Sequence, residues 1–94
     1  MRVRVRYFTT LRELAGTAEE DVQMDNDATL ACLIDELARR YGKAARDYLY
    51  NKGEEVDPAI YLLINGVNSR MLSGTETTLK EDDIVAIIPP IGGG

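Results

Sequence analysis

The stretch DATLACLIDELARRYG, residues 27–42, carries apolar side chains at Leu30, Leu33, Ile34, Leu37, Ala38 and Tyr41, the spacing of one face of an α-helix. Thr29 or Asp27 can cap its first turn, Arg39 and Arg40 suit the negative end of the helix dipole, and Gly42 stands just beyond. This is the one long helix that the chain predicts. Its stripe is about wide enough to cover one face of a sheet, so the segments on either side decide what it covers.

On the N-terminal side, Val3, Val5 and Tyr7 alternate with Arg2, Arg4, Arg6 and Phe8, the period-two pattern of a strand with one buried face. The arginines read as a solvated face and Phe8 falls on it. Thr10 and Glu13 have the spacing of a capping box, and Gly16 can end the short helix LRELAG in a left-handed conformation. A weaker strand is expected over Asp21–Met24, pairing with the first as a hairpin.

On the C-terminal side, AARDYLY suggests a short helix, and NKGEEVDP an exposed loop punctuated by Gly53 and Pro58. Strand character resumes in AIYLLINGVNSR around Asn65-Gly66, a strong hairpin turn signal. The polar run GTETTLKEDD leads into IVAIIPP, a strand that the prolines must end because neither can donate to a ladder. Val85 and Ile87 take the buried parity, leaving Ala86 and Ile88 outward. One helix on one face of a mixed sheet, with a hairpin before it and more strands after, is the α+β arrangement of the ubiquitin-like β-grasp. It predicts that the first and last strands lie side by side. The expected organisation is a β-grasp domain over 1–88 and a flexible tail, Pro-Pro-Ile-Gly-Gly-Gly, over 89–94.

Composition narrows the function. Ninety-four residues, 45% hydrophobic and 29% charged, suit one globular domain. A net charge of -5 with a single basic cluster at Arg2, Arg4 and Arg6 argues against nucleic-acid binding. Acidic residues Glu54, Glu55, Glu76, Glu81, Asp82 and Asp83 read as surface that would suit a basic partner. No apolar run approaches a membrane span and the first residues alternate charge, so a cytoplasmic protein without a membrane partner is expected. The absence of histidine removes Ser-His-Asp and Cys-His pairs and His-containing zinc sites, and no metal is expected. Cys32, the single cysteine, falls opposite the apolar stripe and reads as an incidental surface thiol.

The tail is the other candidate. Prolines stiffen its base and glycines leave it thin, so the six residues from Pro89 can project about 20 Å into a narrow tunnel of another protein. A terminal carboxylate is ionised at neutral pH and inert until activated, for example as an acyl-adenylate. A sulfur nucleophile would then give a thiocarboxylate, and a lysine amine an isopeptide bond. Taken alone, three glycines also read as a frayed end, the lesser of the two readings.

YFTTLRELAG at 7–16, ATLACLIDELARRYG at 28–42, LLINGVNSR at 62–70 and TLKEDDIVAIIPPIGGG at 78–94 together resemble the MoaD/ThiS sulfur carriers, on the branch of the small subunit of molybdopterin synthase. The resemblance runs nearly end to end. It implies that Gly94 is adenylated by an E1-like (MoeB-like) enzyme using ATP, with no cofactor bound by the carrier itself. The resulting thiocarboxylate would serve molybdenum or tungsten cofactor synthesis in a large, MoaE-like synthase subunit. On matched positions, Gly92, Gly93 and Gly94 enter partner active sites, while Phe8, Leu72 and Ile88 grip the partners. The carrier would contribute no catalytic side chain. Gly92 stands where the family more often has alanine, serine or threonine. The stretch 43–59 exceeds that of the smallest thiazole-pathway carriers and is similar to archaeal ubiquitin-like modifiers. A modifier joined to target lysines, or an interaction domain with an idle tail, remain the other readings.

Overall fold

The computed structural model describes residues 1–51 and 55–89. Strand β1 (Arg2–Tyr7) buries Val3, Val5 and Tyr7 and exposes the three arginines, as the alternation requires. Helix α1 (Thr9–Ala15) follows at once. The expected capping box is not formed: Phe8 occupies the N-cap position in extended conformation with no side-chain cap, which puts Thr10 inside the helix. The corner is instead turned at Thr9, whose φ of 45° lies in the left-handed region that β-branched residues seldom enter. The helix starts two residues early with Leu11 completely buried, and that burial outweighs a capping bond of about 1 kcal/mol. Gly16 ends the helix at φ 75°, as expected.

Strand β2 is Glu19–Gln23, two residues earlier at its start than the expected strand and one at its end. Its antiparallel register sets Glu19 opposite Arg6, Asp21 opposite Arg4 and Val22 opposite Val3. The same register turns Glu20 towards the helix side. There its carboxylate accepts hydrogen bonds from the hydroxyls of Tyr7 and Tyr41 and pairs with Arg40 at 3.2 Å. Burial, reinforced by the Glu20 carboxylate, pushes the Tyr7 phenol far above its ordinary value. One acidic side chain thus ties the sheet edge to the helix.

Helix α2 (Leu30–Leu49) buries Leu30, Leu33, Ile34, Leu37 and Ala38 as its stripe predicts. Thr29 caps it, its hydroxyl accepting from the Cys32 amide at 3.3 Å. Gly42 breaks the helical path at φ 83° and ψ −164°, after which the chain resumes helix and buries Ala45 and Leu49 in the same core. The short helix expected in AARDYLY is this second segment. Beyond it, β3 (Tyr50–Asn51) pairs with β4 (Glu55–Val56) in a small separate ladder, where an exposed loop was expected. The Asp57 amide donates to the Leu49 carbonyl at 2.8 Å and closes that excursion against the helix end.

Strands β5 (Tyr61–Ile64) and β6 (Val67–Asn68) form the predicted hairpin, with Asn65 and Gly66 at φ 52° and 84°, the signature of a type I′ turn. Two 3₁₀ turns, Ser69–Met71 and Gly74–Glu76, follow. The polar run after them is stitched to the start of α2: Leu79 donates to the Ala28 carbonyl and Leu30 to that of Thr77, both at 2.9 Å, while the Leu79 side chain plugs the core. Asp83, expected on the surface, is buried. Its carboxylate accepts from the Asn65 side-chain amide at 2.9 Å and the Lys80 backbone at 2.8 Å, locking the hairpin turn to the base of the last strand.

That strand, β7 (Ile84–Ile88), lies in the middle of a sheet ordered β2-β1-β7-β5-β6, parallel to β1 and antiparallel to β5. The helices cover one face. This is the ubiquitin-like β-grasp, with first and last strands adjacent as the element order predicts.

Candidate functional site

Because Val85 and Ile87 are fully buried on the helix side, β7 presents Ile84, Ala86 and Ile88 on the other face, where no helix covers them. The registers of the flanking strands then fix what stands beside each. Arg6, Ala86, Leu63 and Asn68 form one row across β1, β7, β5 and β6. Ile88 pairs with Tyr61, and continuing the Tyr7–Ile87 pairing by one residue brings Phe8 to its other side. Continuing the Leu63–Asn68 pairing by two residues brings Arg70 beside Tyr61. The guanidinium of Arg70 lies 5.5 Å over the Tyr61 ring, in agreement with that placement.

The row Phe8, Ile88, Tyr61, Arg70 therefore runs across the end of the sheet where the chain passes into the tail. Phe8 is 40% exposed and Tyr61 36%, and the next exposed apolar side chains, Met71 and Leu72, follow directly after Arg70. Apolar surface scattered singly carries no meaning, but a cluster on one face at the root of one segment marks a docking surface. Of the expected contact residues, Phe8 and Ile88 stand side by side. Leu72 is exposed at the end of the first 3₁₀ turn, off the row on the β6 side. Gly92, Gly93 and Gly94 lie outside the described residues.

Sequence reading missed Tyr61 and Arg70. The signal was present: with Leu62 and Ile64 on the buried parity, Tyr61 must face outward, and the Asn-Gly turn then sets Arg70 opposite it.

The β1–β2 half of the same face is different. Arg2 pairs with Asp82 at 2.9 Å, Arg4 with Asp21 at 3.0 Å and Glu19 at 3.3 Å, and Arg6 with Glu19 at 3.5 Å. The hydrogen bond from Arg4, with its charge, holds the Asp21 carboxyl below its usual value. A shallow dent lined by Arg2, Arg4, Asp21, Asp82 and Ile84 is closed by these pairs. It holds no nucleophile beside a base.

Cys32 is exposed, and the Thr29 hydroxyl, 3.3 Å from its sulfur, lowers the thiol pKa. It sits at the start of α2, where Leu30 is hydrogen-bonded to Thr77 and Ala28 to Leu79 in the segment that leads into the first residues of β7. This is the opposite end of the sheet from Ile88, where β7 ends. Among the described residues no helix is long and apolar enough to cross a membrane.

The model of the ThiS family matches residues 5–94 of the chain. Small archaeal modifier protein 3 of Haloferax volcanii is 36% identical over 95 aligned positions that cover all of both chains. The molybdopterin synthase sulfur carrier subunit of Drosophila melanogaster is 33% identical, across all of this chain and 92% of that one. Among solved structures, the small archaeal modifier protein SAMP1 of Methanosarcina acetivorans superimposes with a TM-score of 0.85 at 35% identity, covering 99% of this chain and 96% of its own.

Proposed function

We propose, since the chain belongs to the ThiS family of ubiquitin-like sulfur carriers, that its working group is the C-terminal carboxylate of Gly94 and that it serves as the small subunit of a molybdopterin synthase. The observation that carries this reading is the position of the tail's root. The chain leaves the domain from the central strand β7, at Ile88, within the exposed apolar row of Phe8 and Tyr61. A partner that grips the row has the tail directed into it.

The chemistry follows from the group. A chain-terminal carboxyl ordinarily titrates at about 3.3 to 3.7, so at neutral pH it is an anion that resists nucleophiles. An E1-like, MoeB-like partner would bind ATP and form the acyl-adenylate of Gly94, releasing pyrophosphate. A sulfur nucleophile then displaces AMP to leave a thiocarboxylate. The large, MoaE-like synthase subunit receives the tail and takes the sulfur, and hydrolysis returns the carboxylate. The carrier's own residues dock, orient and reach: Phe8, Leu72 and Ile88 hold the partner, and Gly92, Gly93 and Gly94 pass into its active site because glycine needs no side-chain space. No described side chain of the carrier is required to move a proton in any of these steps.

The test is the intact mass of the protein after reaction with its activating enzyme, ATP and a sulfur donor. One oxygen replaced by sulfur within Gly94 supports the reading; a terminus that stays a carboxylate sinks it.

The match over its full length to a relative named as a small archaeal modifier supports a second reading, in which Gly94 is joined to lysines of target proteins. Trypsin separates the two. Lys80 is the last basic residue, so residues 81–94 would remain on every acceptor lysine of a cell digest; their absence rejects conjugation.

A further inference from the structure

We propose that Arg70 determines partner choice at the docking face, by taking a carboxylate side chain of the activating enzyme at the edge of the apolar row. The proposal rests on the functional reading above and adds to it the chemistry of the partner's surface.

Three observations carry it. Arg70 ends the row that begins with Phe8, Ile88 and Tyr61, so anything seated on those side chains meets it. It is held in place: its guanidinium lies 5.5 Å over the Tyr61 ring, and Nη2 donates to the Pro58 carbonyl. A planar donor fixed in this way loses little further freedom when it binds, which favours a bidentate carboxylate. Its charge is also unmatched. Arg2, Arg4, Arg6, Arg39 and Arg40 each stand in an ion pair. Among the described residues Arg12, Arg46 and Arg70 have no carboxylate within ion-pair distance, and of these three only Arg70 stands on the row.

The sign of the contact sets it apart from the rest of the chain. With a net charge of -5, the protein as a whole favours a basic partner. At the tail's root the requirement is reversed, and a partner with basic surroundings but no acid at this one place would lack the matching contact. With the tail passed extended into the partner, the six residues from Pro89 would reach up to about 20 Å. That puts an ATP phosphate that reacts at Gly94 beyond Arg70, so a partner side chain and not the nucleotide is the ligand proposed.

The experiment is steady-state ATP–pyrophosphate exchange by the activating enzyme with the full chain as varied substrate, at low and high salt. Arg70→Gln keeps a hydrogen-bond donor and much of the stem but removes the charge; Arg70→Glu reverses it; Arg70→Lys keeps charge without the planar fork. The expected KM rises about tenfold in Arg70→Gln and further in Arg70→Glu, with Arg70→Lys between Arg70→Gln and the wild type, while kcat holds because Gly94 is untouched. The wild-type KM should rise with salt, and that of Arg70→Gln should rise less steeply. A neutral variant with the wild-type KM and salt dependence overturns the inference alone. Wild-type protein that supports no exchange overturns the functional reading and this inference with it. Loss of fold would also raise the apparent KM, by lowering the concentration of competent carrier, so melting temperatures are read alongside. A KM that rises only as melting temperature falls across the three variants also counts against a recognition role.

Discussion

The outer face of the sheet has two halves with the same backbone and opposite finish. On the β1–β2 half, arginines alternate with acidic residues across the strand pair, and the charges are matched within the chain. On the β7–β5 half, Ile88, Tyr61 and Leu63 face outward beside Phe8, and Arg70 stands at the edge without a described acidic partner. A surface that satisfies itself gains nothing from a second protein. One that leaves apolar area and a fixed cation open is completed by binding, and it is this half from which the tail departs.

The difference can be broken most severely from the apolar side. Replacing Phe8 and Leu72 together by aspartate should weaken binding to the activating enzyme by about a hundredfold or more, on the order of 3 kcal/mol, by adding unpaired charge where apolar contact is expected. Isothermal titration checks this, and unchanged affinity would place the docking face elsewhere. The next effect is structural. Asp83→Ala removes a buried acceptor shared by Asn65 and Lys80, and should cost about 2 kcal/mol in urea unfolding while folded protein still binds normally. If affinity fell with stability, fold and face would not be separable in the way the two halves suggest.

A smaller effect is expected at alkaline pH. The Tyr7 phenol is raised above the ordinary tyrosine value of 10.0, so the folded state keeps a proton that the unfolded state gives up. The contribution is fully present below about pH 10 and declines as pH rises through the folded value. Tyr7→Phe should therefore flatten the loss of stability above about pH 10; an unchanged slope would mean that the Glu20 cluster does not titrate with unfolding. The least effect belongs to the charged half: Arg4→Ala should leave binding to the activating enzyme unaltered in the same titration. A clear loss there would remove the distinction between the halves.

Much of the fold is legible because burial imposes period. The stripe from Leu30 to Tyr41 and the alternation of Val3, Val5 and Tyr7 each report which side faces the core, and Asn65-Gly66 reports a turn that few other pairs can make. What was not legible depends on partners distant in sequence. Glu20 points inward because its register is set by β1, and it tolerates burial because two phenols and Arg40 converge on it. Asp83 reads as one more acid in EDD until the hairpin brings Asn65 to it. The capping pattern at Thr10 and Glu13 lost to the burial of Leu11, a local bond against a whole apolar side chain. The docking residues divide in the same way. Phe8 and Ile88 could be placed from strand parity and adjacency of the end strands, whereas Arg70 acquires its meaning only when the hairpin register lays it over Tyr61.

The central claim is that the folded domain is a handle and that the reactive group is at the end of the tail. ATP–pyrophosphate exchange with a variant lacking Gly93 and Gly94 tests it most directly. No exchange is expected from a shortened protein that melts at the wild-type temperature and competes with the wild type for the activating enzyme. Exchange sustained by the shortened chain would contradict it.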